Sequence, residues 1–169
     1  MAALKTYTYG LSEIGFGEIA QDGGIASTFT PLGYTKEDSC TLTTEDPELT
    51  EHYAEEVSDP VVTISKKGKT EFNFSLINPD VTALQTLFGG TADTTTNTWT
   101  APAGRIVVEK SVRITPDAGF NSEICRAKLA PRVNAEFSKK GILVIDVTGS
   151  VLTPTKAGEP PMKWTLIQS

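Results

Sequence analysis

The stretch "PVVTISKKGKTEFNFSLI", Pro60 to Ile77, reads as a strand, a turn at Lys67–Gly68 and a second strand. In the second strand Phe72, Phe74 and Leu76 recur at every second position, so all three fall on one face of a sheet. The pattern predicts a β-hairpin with a buried side. The period then changes. In "NPDVTALQTLFGG" (78–90), Val81, Leu84, Leu87 and Phe88 recur at three- and four-residue spacing. Asn78 is placed as N-cap, Pro79 at the first helical position, Asp80 in the first turn and Gly89 at the end. A helix over about 79–88 is predicted. It is short, and it needs its apolar face packed on the sheet to persist.

Outward from this core the chain reads mostly as strands. "LKTYTYG" (4–10) alternates and is rich in threonine and tyrosine; "ASTFTPLG" (26–33) alternates up to Pro31, which marks an edge or a strand end. "SCTLTTE" (39–45) is another short strand, and "GRIVVEKSVRITP" (104–116) is a long one. "SEICRAKLAPRVNAEFSKKGILVIDVTGSVLTP" (122–154) predicts a long hairpin turning at Lys139–Gly141, with Pro131 at a bulge or an edge. "MKWTLIQS" (162–169) closes the chain as a last strand. The glycine-rich "GFGEIAQDGG" (15–24) and "FGG" (88–90) lack the features of a phosphate loop and read as turns. "TADTTTNTWTAPAG" (91–104) has no apolar period and reads as a surface loop or edge segment, and "TPTKAGEPPM" (153–162) as a connector. The expected fold is mainly β: a sandwich or barrel in one domain spanning 1–169, with one short flanking helix.

One segment stands apart. "EDPELTEHYAEEVSDP" (45–60) carries Glu45, Asp46, Glu48, Glu51, Glu55, Glu56 and Asp59, with no lysine or arginine. The whole chain has a net charge of -6, so the remainder is close to neutral. Asp46–Pro47 and the four-residue spacing of Leu49, Tyr53 and Val57 suggest helix. Glu51, Glu55 and Glu56 repel one another in that conformation, so the segment is expected to be a long loop with one or two helical turns. Basic residues gather elsewhere: Lys66, Lys67 and Lys69; Arg126 and Arg132; Lys139 and Lys140. Opposite charges in separate places can steer like molecules together, head to tail. These acidic and basic residues are the expected contacts between subunits.

Length and composition allow one domain with a real core. No run approaches a membrane span, and the first fifteen residues lack the apolar core of a signal peptide, so an unexported chain is expected. Cys40 and Cys125 are then expected as reduced, packed thiols. No catalytic, cofactor or metal site is expected. His52 is the only histidine, and the cysteines lack zinc-ligand spacing. No nucleophile, base and orienting group can be nominated together, so the chain is not expected to be an enzyme. Trp99 and Trp164 suit a core or an interface, with sugar stacking as the alternative.

The segment "LGYTKEDSCTLTTEDPELTEHYAEEVSDPVVTISKKGKTEFNFSLINPDVTALQTLFGG" (32–90) resembles the tail tube proteins of long-tailed bacteriophages. It shares their order of a strand, a long charged loop, a strand pair and one short helix. The related tubes of contractile injection systems and type VI secretion have the same fold. The resemblance implies rings, usually of six subunits, stacked into a hollow tube within the virion tail and assembled in the bacterial cytoplasm. It also implies double-stranded DNA passing through the lumen, other tail proteins as partners, no membrane and no cofactor. The long loop of that family reaches a neighbouring ring, and 45–60 is similar in placement. A monomeric β-sandwich that binds carbohydrate or protein is the alternative.

Overall fold

The computed structural model describes residues 5–167. In chain order the strands are β1 (Glu13–Gly17), β2 (Thr30–Pro31), β3 (Thr41–Thr44), β4 (Glu48–His52), β5 (Val62–Lys66) and β6 (Thr70–Leu76). Helix α1 (Val81–Phe88) follows, then β7 (Thr91–Asp93), β8 (Thr98–Thr100), β9 (Val108–Thr115), β10 (Gly119–Ala135), β11 (Leu143–Val151) and β12 (Met162–Ile167). One antiparallel sheet of eight strands runs β2-β1-β9-β10-β11-β6-β3, with β12 also on β10. It curls into a half-barrel, and with one short helix this is the expected mainly-β fold.

The register explains the core. Phe16 lies opposite Val112, and Val112 opposite Ile124; Phe74 lies opposite Val147, and Leu76 opposite Ile145. With period-two alternation these residues share one face, and all are buried. Phe72, fully buried, lies over Gly149, where a Cβ would overlap its ring. The predicted Phe72, Phe74 and Leu76 face is therefore the centre of the core.

Helix α1 starts two residues later than predicted. Asp80, not Asn78, is the N-cap, its carboxylate accepting the Ala83 N–H at 2.7 Å. Asn78 instead accepts the Tyr34 N–H and ties the helix entry to the strand edge. Gly89 ends the helix at φ 79, a left-handed conformation that glycine adopts without strain. Ala83 and Leu87 enter the core, with Leu84 and Phe88 packed against it.

β10 carries the architecture. Its first part pairs with β12 and its second with β11, while β9 lines the other side. A bulge between Ile124 and Ala127 separates the two parts. There the Ser111 hydroxyl donates to the Cys125 carbonyl at 2.7 Å and accepts the Ala26 N–H at 3.0 Å. Pairing with β9 ends at Leu129, so Pro131 sits where only β11 is hydrogen-bonded to the strand, the edge position expected of it.

Several expectations are corrected. Residues 5–10 form no strand; only Tyr9 bridges to Ala118, and Leu4 lies outside the described residues. Of 26–33 only Thr30–Pro31 is strand, at the sheet edge. Gly15–Gly17, expected as turn, belongs to β1. Its glycines let the 26–29 segment approach: a Cβ on Gly15 would lie 2.9 Å from that of Phe29. The threonine run forms a small hairpin, β7–β8, whose turn is held by Asp93 accepting the N–H groups of Thr95 and Thr96. The hairpin of 122–154 and the strand at Met162–Ile167 are as expected, with Gln168 and Ser169 outside the described residues.

Candidate assembly surface

The acidic segment holds no helix; Glu48–His52 is strand, and the expected loop is confined to 53–60. Glu48–His52 pairs antiparallel with Val62–Lys66, so β5 belongs to the acidic strand and not to β6. β6 pairs with β3 and β11 instead. The chain thus runs out along β3 and β4 and returns along β5 and β6. The Glu45 N–H donates to the Lys69 carbonyl at 2.9 Å, joining the outer and inner halves of one ribbon. At Gly68 the backbone passes so close to Glu45 that a side chain would collide with the Glu45 carbonyl.

The outer half is an arm. All ten residues of β4 and β5 are exposed. Its paired part spans about 16 Å, with residues 53–61 forming the tip. Helix formation loses here because repulsion within the carboxylate run opposes it, whereas the strand gains a partner in β5. Yet a two-stranded hairpin with no third strand is marginal in water. Leu49, Tyr53, Val57, Val61, Val62 and Ile64 all stand at least half exposed on it. By register Leu49 stands on one face of the ribbon and Val62 and Ile64 on the other, so apolar side chains are open to solvent on both faces.

The charges are as open as the apolar groups. Among the described residues, none of Glu45, Asp46, Glu48, Glu51, Glu55, Glu56 and Asp59 forms a salt bridge. Glu48 lies across the ribbon from Lys66, and Glu51 accepts the Tyr53 hydroxyl at 2.6 Å. That hydrogen bond raises the Tyr53 pKa above its ordinary value. From Thr50 to Val61 the arm carries Glu51, Glu55, Glu56 and Asp59 and no lysine or arginine.

The basic residues divide into two groups. Lys69 pairs with Glu71 at 2.5 Å. Arg126 grips Glu109 with two bonds of 2.9 Å, and Arg132 reaches Asp146 at 3.2 Å. The Arg126 guanidinium holds the Glu109 carboxyl below its usual range, and hydrogen bonds from Ser75 first and Arg132 second do the same for Asp146. Lys66 and Lys67 belong to the arm, while Lys139 and Lys140 stand at the β10–β11 turn; none of the four is in a salt bridge among the described residues. The same turn exposes Phe137, Ile142 and Leu143, which sequence reasoning passed over. Their only signal was their position beside the turn lysines.

His52 ends β4 and is exposed, and among the described residues no three His, Cys, Asp or Glu side chains converge. Both cysteines are free. Burial pushes both thiols up, with carboxylates near Cys125 adding to the effect. Trp99 is structural: its indole N–H donates to the Gly89 carbonyl at 2.9 Å, and its ring packs on Phe88. Trp164 is 51% exposed beside Phe120, lining a cleft of about 190 Å3 with Cys40 and Leu42.

Compared with protein-family models the chain matches none, and a search of curated proteins returns no match.

Proposed function

We propose that this chain is a structural subunit of a bacteriophage tail tube. Copies assemble into rings, six to a ring, which stack into a hollow channel for double-stranded DNA. The subunit works by binding copies of itself and other tail proteins, with no catalysis and no cofactor. One observation carries the reading: a hairpin arm whose paired strands are exposed throughout, with apolar side chains and carboxylates outside any salt bridge among the described residues. Such an arm, held to the sheet through the Glu45–Lys69 hydrogen bond and its own pairing alone, gains stability when a partner covers it. The resemblance of residues 32–90 to tail tube proteins supports the choice of partner, a copy of the same chain. The net charge of -6 also suits a channel that passes DNA, since a basic lining would hold phosphates.

The test is negative-stain imaging with sedimentation velocity across a concentration series. Rings or tubes that grow with concentration are expected. A monomer at every concentration contradicts the proposal. The exposed Trp164 beside Phe120 favours a second reading, a monomeric carbohydrate-binding module. It predicts glycan binding that is lost on Trp164→Ala.

A further inference from the structure

The two open surfaces lie at opposite ends of the sheet. The arm leaves β6 at its Thr70 end, where Thr44 lies opposite Thr70. β11 runs antiparallel to β6, with Ser150 opposite Glu71 and Ile145 opposite Leu76. The β10–β11 turn, which precedes Leu143, therefore projects past the Leu76 end. Beyond Leu129, where β9 stops pairing, β10 continues six residues to Ala135, or about 20 Å.

That turn is complementary to the arm. Phe137 is 97% exposed and Ile142 56%, and with Leu143 they line a shallow concavity of about 520 Å3. Lys139 lines it too, with Lys140 next in the chain. Glu136 is the one carboxylate of the turn; it accepts the Ser138 hydroxyl at 3.0 Å, and the net charge of the turn stays positive. Arg126, Arg132, Lys69 and Lys156 are already neutralised by carboxylates of their own chain. The arm tip supplies the converse set: Glu51, Glu55, Glu56 and Asp59 around Tyr53 and Val57.

Building on the tail-tube reading, we propose that the β10–β11 turn of one copy receives the arm tip of the next. Phe137 is the apolar anchor beneath Tyr53 and Val57, and Lys139 and Lys140 meet the tip carboxylates. Donor and acceptor are different patches at opposite ends, so the contact is heterologous and repeats along the strand direction. Repeated from copy to copy, such a contact gives the assembly a direction.

Charge reversal with rescue tests the inference. Wild type, Lys139→Glu/Lys140→Glu, Glu55→Lys/Glu56→Lys and the four-fold swap are compared by sedimentation and imaging. Each double variant is expected to raise the concentration needed for tubes about tenfold, and the four-fold swap to restore it. Phe137→Ala, at a fully exposed position, is expected to weaken stacking with an unchanged melting temperature. Tubes from Lys139→Glu/Lys140→Glu and Phe137→Ala at wild-type concentrations overturn the inference and leave the tube reading intact. Failure of the four-fold swap to restore assembly also overturns it. A wild-type chain that stays monomeric overturns both.

Discussion

Thr44 and Thr70 face each other across the ribbon and share a hydrogen bond between their hydroxyls, 3.0 Å apart. Thr70 is buried, whereas every paired residue further out is exposed. The pair marks the line between the sheet with its buried face and the exposed arm. The residues on each side of that line lead to different expectations.

Inside the line, packing is tight. Gly149 lies directly beneath the Phe72 ring, and a methyl group there would overlap it. Gly149→Ala is expected to destabilise the protein by about 1–3 kcal/mol through overpacking. Phe72→Leu in the same chain should recover part of that loss. Urea unfolding of the single and double variants checks both expectations; a neutral Gly149→Ala would contradict them.

Asp80 caps the helix that seats Ala83 and Leu87 in the core. Asp80→Ala is expected to cost about 1 kcal/mol, and Asn78→Ala to leave the helix start unchanged. Thermal unfolding followed by circular dichroism separates the two, because Asn78 bonds to Tyr34 and not to the first helical turn.

The Glu109–Arg126 pair sets a pH dependence. Hydrogen bonding to Arg126 lowers the Glu109 pKa in the folded protein from its ordinary value of 4.5. The unfolded chain therefore binds this proton more readily, and stability rises with pH through that window. The contribution is complete above the ordinary value and is lost as pH falls through the folded one. Glu109→Gln is expected to be less stable than wild type at pH 7, with the difference shrinking as pH drops below about 4. A difference that stays constant across pH would contradict this.

Contacts between near neighbours in the chain show in the spacing of residues, and contacts between distant ones do not. Phe72, Phe74 and Leu76 announce a buried strand by their own spacing, and Leu84, Leu87 and Phe88 announce a helix face in the same way, although Val81, expected on that face, stays outside the core cluster and Ala83 enters it. The arm was harder. Asp46–Pro47 and the spacing of Leu49, Tyr53 and Val57 mimic a helix start, while the partner that makes Glu48–His52 a strand lies ten residues beyond its end. Strand β1 was hidden by Gly15 and Gly17, which serve close approach of a distant segment and carry no side-chain alternation. The charge separation was visible in the sequence. That Arg126, Arg132 and Lys69 are spent within the chain was not, because their partners are set by register.

On the proposed reading the arm serves contact between copies and not the fold. Replacing Asp46–Gly68 by Asn-Gly would join Glu45 to Lys69, whose backbones are already hydrogen-bonded, through a two-residue turn. Sedimentation velocity on this variant, alongside its melting curve, is the most direct measurement. The expected result is a folded monomer with a melting temperature close to wild type, at concentrations where the full chain forms rings and tubes. An armless chain that assembles like wild type, or one that no longer folds, would contradict the account.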